Sequence, residues 1–508
     1  MNRCTKPSTL LFRLITPVVL LLGVAFPSLA ASYYVATNGN DANSGTSTTS
    51  PWLTIQHAAN VVPAGSTVYV RAGVYAPFAV NVSGSPAGNT VFTNYTGETA
   101  VIDGAGFTGA YDYGLIHILD QSYVTISGFE IRNGASTSSS FGPCGVCVKS
   151  YAGGMNNIQI LNNNIHNIAN TASRNGNAHG IMVRGENATT PISNVVISGN
   201  TITACQTGWS ENLTVSANVQ YFTISNNLVH DNNNIGIDVT GGYSSEANGA
   251  VAQHGTISGN AVYNCSTINN PYYRTYSCAG LYVDGGSDIV MERNLSHDND
   301  YGAELSAETP GVNTSYVTMR NNVIYHNYDY ALGIGGYNSK STGGTQFCNI
   351  VNNTFYNDEF SGNWDGEVRT GWRCSNNIFD NNIVYAGTAG HNILVKDIAT
   401  DGSAVGTIDY NCYYCTAGAT SSEWVWNGSR SYTIGFTNWK SVSGKDAHSL
   451  FADPKFVSTS TPNFNLFAGS PALNTGNYAL GAPIYGTVDY AGNARTIGST
   501  IDMGAYEN

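Results

Sequence analysis

Short runs of alternating apolar and polar residues fill the chain and recur at a regular interval. From about residue 115 a block repeats every 20–30 residues or so, with longer insertions in some copies. Each copy has an apolar residue or a cysteine three positions before an asparagine. The copies are Ile160–Asn163, Ile197–Asn200, Ile224–Asn227, Ile257–Asn260, Met291–Asn294, Met319–Asn322, Ile350–Asn353 and Cys374–Asn377.

A second alternating strand follows in many of these blocks and begins at a glycine, as in Gly180–Val183, Gly236–Val239 and Gly280–Val283. Alternation with a period of two turns one face of a strand inward and the other outward. Two or three short strands in a repeat of this length are typical of a solenoid. Asparagine at a fixed corner can hydrogen-bond along a column and tolerates the left-handed bend of a tight turn. We therefore predict an all-β fold, a right-handed parallel β-helix of roughly ten or more coils.

Two other repeat folds fit less well, since a β-propeller needs about forty residues per unit and leucine-rich repeats need more leucine. Composition agrees with a β-solenoid: there are 57 Gly and 32 Tyr, but only 20 Lys plus Arg. Charged residues form 10% of the chain, against about 25% in ordinary soluble proteins. The formal net charge of −13 argues against a nucleic-acid partner.

The two ends differ from the repeats and suggest four segments. Residues 1–30 combine basic residues, a short apolar run and a small-x-small site at 28–30, which predicts a secretory signal and an extracellular or periplasmic protein. Residues 31–110 are expected to form an N-terminal cap with a short amphipathic helix and the first coils. Residues 111–444 form the β-helix, and residues 445–508 a C-terminal cap. We expect a monomer with no membrane contact once the signal is removed.

Cysteine usage leaves several chemistries open. Two C-x-x-C pairs are present, at 144/147 and at 412/415, and Cys265 and Cys278 could close a loop. Zinc is one interpretation of such pairs, but in an exported protein disulfides or plain buried cysteines are the favoured ones.

The end segments also resemble a known group. Residues 32–75 resemble the start of secreted pectate-lyase-like β-helix proteins, including the ninth polysaccharide-lyase family. Residues 489–507 are similar to a C-terminal module common in bacterial secreted β-helix proteins. The resemblance implies the β-helix fold and action on polysaccharides, and it leaves the site to be argued from residues.

Acidic residues converge on one face of the predicted helix. Aligning the inward apolar positions places Met182, Thr214, Asp238, Tyr282 and Glu304 in one outward column, and Arg184, Ser216, Thr240, Asp284 and Ser306 in the next. Asp238, Asp284 and Glu304 would then surround Tyr282 on three consecutive coils. Carboxylates repel one another when they cluster, so such a group either binds a cation or keeps one member protonated for acid catalysis. These three acids are the predicted catalytic residues, with Glu211, Asp300, Glu308 and Glu367 as further candidates on nearby coils.

Insertions at 240–254 and 266–279 flank the same coils and bring aromatic residues to them. Tyrosine and tryptophan rings stack on sugars, and an arginine suits an acidic or hydroxyl-rich chain. The predicted substrate-binding residues are Tyr282, Tyr272, Tyr273, Arg274, Tyr243 and Trp209.

Three functions remain open at this point. The block from Gly280 to Glu304 is similar to the acid and nucleophile region of certain β-helix glycosidases, which implies hydrolysis by paired carboxylates without a cofactor. The stretch 299–305 is similar to the calcium-binding stretch of the ninth lyase family, which implies a calcium-dependent pectate-like lyase with Asp300 and Glu304 as ligands. Tyr301 stands where that family has a second acid, and no lysine follows closely. A non-catalytic glycan-binding β-helix would instead show extended aromatic ladders without clustered carboxylates.

Overall fold

The computed structural model describes residue 1 and residues 31–109, 113–362, 364–387, 393–400, 405–428, 433–498 and 500–508. This part of the chain winds into a right-handed parallel β-helix of about 12 coils, which confirms the predicted fold class. The predicted signal segment, apart from Met1, lies outside the described residues. No helix in the described ranges has the length and apolarity that crossing a membrane requires.

Successive coils contribute strands to three long sheets, which are parallel except for one antiparallel pair at the end of the third. Sheet A contains Ser32–Val35, Thr67–Val70, Thr90–Asn94, Val124–Ser127, Met155–Leu161, Ile192–Ser198, Val219–Ser225, Gln253–Ser258, Ser287–Glu292, Asn313–Arg320, Gly344–Gln346, Asn349–Val351, Cys374–Ser375, Asn377–Asp380 and Gly406–Asp409. Sheet B contains Gly73–Tyr75, Ala100–Asp103, Glu130–Arg132, Asn164–His166, Thr201–Thr203, Leu228–Asn232, Ala261–Cys265, Leu295–His297, Val323–Tyr325, Thr354–Tyr356, Ile383–Ala386, Cys412–Cys415 and Leu450–Phe451.

Sheet C carries the face on which the acids converge. It contains Phe78–Val80, Tyr113–Leu119, Pro143–Ser150, His179–Gly185, Leu213–Ala217, Ile237–Thr240, Ala279–Asp284, Tyr301–Ser306, Tyr330–Ile334, Val368–Thr370, Ile393–Asp397, Glu423–Val425 and Thr433–Ile434. The remaining elements are short. They are the strand pairs Ala135–Ser136 with Ala169–Asn170 and Phe456–Ser458 with Asn463–Leu466, the helices Ile55–Val61, Phe436–Ser443 and Ala482–Tyr485, and the 3₁₀ turns Ala247–Gly249 and Tyr478–Leu480.

The core is a set of apolar columns because inward positions of successive coils face one another. In sheet A, Ile160, Ile197, Ile224 and Ile257 are paired in register from coil to coil, and all four are fully buried. Burying one such side chain stabilises the fold by about 1.5–3 kcal/mol, and a slip of one residue would move every side chain of the strand to the opposite face. The inward residues therefore fix the register of the outward ones.

A buried asparagine ladder runs along the corner between sheets A and B. In each coil the backbone N–H and the side-chain Nδ2 of one asparagine both donate to Oδ1 of the next. The ladder comprises Asn163, Asn200, Asn227, Asn260, Asn294, Asn322, Asn353, Asn382 and Asn411. The left-handed bend falls on the residue before the ladder asparagine, for example Asn226 with φ of 53°.

One predicted member of the column is wrong. Asn377 accepts the backbone N–H of Cys348 at 2.9 Å and belongs to a different position of the coil. Asn382 occupies the ladder instead, because the turn at 380–382 is the one that pairs with the turn at Asn353. The repeat spacing is irregular here, so the motif beginning at Cys374 is shifted by five residues from the true corner.

Short helices lie near both ends of the solenoid. Ile55–Val61 caps the first coils, starting at Thr54, whose side chain accepts the N–H of His57. At the other end the helix Phe436–Ser443 closes the core, because Trp439 is fully buried and stacks on Trp424 at 5.0 Å. The predicted cap, residues 445–508, packs largely along the side of the solenoid, where its Phe464 contacts Tyr325 and Tyr356.

An aromatic ladder follows the outer face of sheet B. His230, Tyr263, His297 and Tyr325 stack in register with ring centroids 4.8–4.9 Å apart. Phe464 covers its later part. The structure thus carries both a ladder and the clustered carboxylates described next, on different sheets.

Candidate active site

The two predicted outward columns of sheet C are confirmed by the strand register. Met182, Thr214, Asp238, Tyr282 and Glu304 are paired one after another across five strands. In the second column Arg184 pairs with Ser216, Ser216 with Thr240, and Asp284 with Ser306. Thr240 Oγ1 joins the two halves by donating to Asp284 Oδ2 at 2.9 Å.

These columns form the floor of a groove of about 700 Å³. The insertions form its walls: Tyr243 comes from residues 241–252, and Tyr272 and Tyr273 come from residues 266–278. The groove contains all three predicted catalytic residues and five of the six predicted substrate-binding residues. Those residues are Asp238, Asp284, Glu304, Tyr282, Tyr272, Tyr273, Tyr243 and Trp209.

Asp284 is held by three hydrogen-bond donors. Tyr243 Oη donates to its Oδ2 at 2.6 Å, Thr240 Oγ1 donates to the same oxygen, and the backbone N–H of Glu308 donates to its Oδ1 at 2.7 Å. The residue is 3% exposed. Burial raises the pKa of Asp284, and the three donors oppose that shift because they stabilise the ionised carboxylate.

Glu304 has a different environment one coil further on. Its Oε1 accepts a single hydrogen bond, from Tyr330 Oη at 2.7 Å. Burial raises the pKa of Glu304 to about 7, and the hydrogen bond from Tyr330 and the charge of Arg369 limit the rise. A carboxyl with this pKa is available as a proton donor near neutral pH.

Asp238 is the most isolated of the three acids. It is 3% exposed, and its Oδ1 has no hydrogen-bond partner. Burial raises the pKa of Asp238 well above its usual value, and repulsion from Glu211, Asp284 and other groove acids adds to the shift. A ligand that brings a hydrogen-bond donor or a positive charge to Asp238 Oδ1 would satisfy this oxygen and relieve the repulsion.

Other residues complete the groove. Glu211 and Glu308, named as further candidates from the sequence, both line it. Glu246, Tyr330 and Arg369 line it as well. Tyr330 lies one coil after Glu304 in sheet C, so the same alignment of inward residues could have identified it as a neighbour of the site.

Three of the candidate residues lie outside the groove lining: Arg274, Asp300 and Glu367, whose carboxylate accepts the backbone N–H of Asp358. Arg274 is exposed, and its Nε donates to the carbonyl of Pro271 within its own loop at 3.2 Å. Asp300 is buried, and its Oδ2 accepts from the backbone N–H groups of Thr267, Ser277 and Cys278. Asp300 therefore clamps the insertion at both of its ends.

The predicted calcium ligands fit a cation poorly. Asp300 Oδ2 already accepts several donors, and Glu304 Oε1 accepts Tyr330. Within the described ranges no cluster of three or more His, Cys, Asp or Glu side chains could hold a metal ion. The nine cysteines in those ranges are buried, and Cys265 and Cys278 carry free thiols, so the loop they could close is not bridged.

Comparison with known proteins places the chain. Residues 33–207 match the family described as "Pel9A-like, right handed beta helix region", and residues 279–434 match "Right handed beta helix region". The uncharacterized protein YwoF of Bacillus subtilis (strain 168) is 33% identical over 443 residues, which cover 86% of this chain and 91% of YwoF. This chain belongs to the right-handed β-helix family of YwoF.

Two further known proteins are similar to this chain. Pectate lyase PEL9 of Emericella nidulans is 34% identical to the chain over 130 residues, which cover 23% of this chain and 32% of PEL9. The solved complex of XylC with xylose has a TM-score of 0.55 and 14% identity, covering 93% of this chain and 98% of XylC. At 14% identity, the similarity to XylC shows a shared fold only.

Proposed function

We propose that this protein is a secreted carbohydrate-active enzyme that hydrolyses glycosidic bonds in a polysaccharide or oligosaccharide. The observation that carries the proposal is the contrast between two acids in one groove. Asp284 is surrounded by donors that favour its ionised form, and Glu304 has a pKa near 7. Hydrolysis of a glycosidic bond requires two carboxyl groups in opposite protonation states.

Each acid then has a defined role. Glu304 gives its proton to the glycosidic oxygen as that bond breaks. Asp284 faces the anomeric carbon and offsets the positive charge that develops there, acting as nucleophile or as base toward water. Asp238 Oδ1, which has no hydrogen-bond partner within the protein, accepts a hydrogen bond from the substrate in the same groove. Tyr243 holds Asp284 in position, since its hydroxyl contacts Asp284 Oδ2 at 2.6 Å and Glu308 Oε2 at 3.3 Å.

A calcium-dependent lyase is the second candidate, and the similarity to pectate lyase PEL9 favours it. The N-terminal match, residues 33–207, ends before Asp238, so it does not extend over the groove acids. Elimination from a uronate needs a cation or arginine on the sugar carboxylate and a base for its proton. Arg184 and Arg369 are the arginines that line the groove.

One assay separates these functions. Purified protein is incubated with a panel of neutral, amine-bearing and uronate polysaccharides, with and without a chelator, while reducing ends and ultraviolet absorbance are recorded. Hydrolysis produces reducing ends without an unsaturated uronate and without sensitivity to the chelator. New ultraviolet absorbance that the chelator abolishes would overturn the proposed hydrolysis in favour of the lyase. Binding without any new reducing ends would leave a glycan-binding protein.

The pH dependence gives a second test. Glu304 acts as an acid only when protonated, so kcat is expected to fall about tenfold per pH unit above pH 7, since the pKa of this carboxyl is about 7. The hydrogen bond from Tyr330 lowers that pKa, so Tyr330→Phe should move the alkaline limb to higher pH. Tyr337→Phe is the control, because Tyr337 lines the groove and is 59% exposed. An alkaline limb that Tyr330→Phe leaves in place would exclude Glu304 as the acid.

A further inference from the structure

More carboxyl groups than cationic side chains line the groove. Six carboxyl side chains line it, against two arginines. The carboxyl groups belong to Glu211, Asp238, Glu246, Asp284, Glu304 and Glu308. Both arginines already have partners: Arg184 Nε lies 3.4 Å from Glu246 Oε1, and Arg369 Nη1 lies 3.8 Å from Asp365 Oδ1. A sugar carboxylate entering this groove would therefore meet repulsion rather than a free cation.

Three of the six acids, Glu211, Asp238 and Glu246, lie toward the end of the groove away from Glu304. Thr214 pairs with Asp238 in the strand register, and its Oγ1 donates to Glu211 Oε2 at 2.8 Å. Glu211 and Asp238 thus approach each other across neighbouring coils. Burial, together with the proximity of Glu246, raises the pKa of Glu211 to about 7.

Two oxygens at this end are buried and have no hydrogen-bond partner: Asp238 Oδ1 and Glu246 Oε2. An unpaired buried acceptor costs about 1–3 kcal/mol, so a ligand that brings donors and positive charge recovers that free energy. Asp238 is only 3% exposed, and it lines the groove. The site is therefore built around acceptors that the protein itself does not satisfy.

An aromatic wall stands beside these acids. Trp209 and Tyr272 are 42% and 38% exposed, and their rings meet edge to face at 4.7 Å. Trp209 comes from the loop 204–212, and Tyr272 comes from the insertion 266–278. Partly exposed rings of this kind provide a stacking surface for a sugar ring.

We propose that Glu211, Asp238 and Glu246, beside Trp209 and Tyr272, form a subsite for an amino sugar whose amine is free and protonated. The proposal rests on the proposed function and narrows its substrate to a glycan that contains unacetylated amino sugars. An ammonium group supplies a positive charge and three donors, which match the unpaired acceptors. An N-acetylated sugar lacks the charge, and a uronate has the opposite charge.

Binding is measured with the full chain carrying Asp284→Asn, so that turnover does not interfere. The probes are immobilised oligosaccharides of glucosamine and of galactosamine, each with its N-acetylated counterpart made by acetylation, together with glucose and galacturonate oligomers. At least one amine-bearing oligomer should bind tenfold or more tightly than its acetylated form, and added salt should weaken that binding. Equal affinity within each pair, tighter binding of galacturonate, or no binding of any amine-bearing oligomer would overturn the proposal.

A second set of variants assigns the effect to these side chains. Adding Glu211→Gln and Glu246→Gln should lower affinity for the amine-bearing oligomer about tenfold and leave the acetylated one unchanged. Asp298→Asn removes one exposed acid just after the sheet B strand Leu295–His297 and should change neither. Thermal unfolding confirms that each variant is folded. Cleavage of neutral glycans without amine preference would overturn the proposed subsite and support the proposed hydrolysis. Amine-selective binding without any cleavage would support the subsite and overturn the hydrolysis.

Discussion

Replacing Asp284 by asparagine is expected to lower kcat by about 10³-fold while the protein stays folded, because the variant loses the charge that offsets the developing cation and keeps the shape of the side chain. The amide oxygen can accept the backbone N–H of Glu308, as Oδ1 does now. The amide NH₂ can donate to the hydroxyls of Tyr243 and Thr240, which reverse their roles.

The measurement is kcat on the polysaccharide found in the panel, with thermal unfolding as a check of folding. Asp298→Asn is the matched control, since it makes the same chemical change at an exposed site just after the sheet B strand Leu295–His297. Glu304→Gln should have a comparable effect on kcat. Full activity in both Asp284→Asn and Glu304→Gln would remove these two residues from the mechanism.

Asn294→Ala is expected to lower the free energy of unfolding by about 3 kcal/mol, because it breaks the asparagine ladder at its centre. Asn294 Oδ1 accepts both the backbone N–H and Nδ2 of Asn260, and its own Nδ2 donates to the carbonyl of Ile257 at 2.9 Å. Alanine leaves these buried groups without partners. Asn294 is fully buried, so water does not replace the lost bonds.

Urea denaturation followed by circular dichroism measures the loss. Asn349→Ala provides the control, because Asn349 is half-buried outside the ladder and its side chain donates one hydrogen bond, to Thr318 Oγ1 at 3.2 Å. That variant should lose less than about 1 kcal/mol. If the two variants lost equal stability, the ladder would contribute no more than an ordinary surface asparagine.

The floor of the groove follows from the sequence because the inward residues determine it. Once Ile237, Leu281 and Ala303 are placed in one inward column, Asp238, Tyr282 and Glu304 must share the next outward one. Because the alternation has a period of two, a one-residue slip would turn these acidic side chains into the core. For this reason the sequence alone predicts the outward columns, including the proximity of Asp284 to Thr240.

The walls of the groove could not be predicted in the same way. Insertions have no repeat, so the pattern does not say where a loop residue points. Arg274 was expected in the groove and instead bonds Pro271 in its own loop, and Asp300 was expected to bind calcium and instead ties the loop ends. Glu246 gave no sequence signal, since its contact with Arg184 joins a loop to a strand.

The asparagine ladder also has a consequence for the chemical lifetime of the protein. Asparagine ages by deamidation, in which the next residue's backbone nitrogen attacks the side-chain amide. In the ladder that nitrogen is engaged: the N–H of Leu228, which follows Asn227, donates to the carbonyl of Asn200, and the N–H of Leu295, which follows Asn294, donates to that of Asn260. The side-chain amides are held by their neighbours as well. A chain this rich in asparagine is thereby shielded at its core from the slow damage that this residue usually brings.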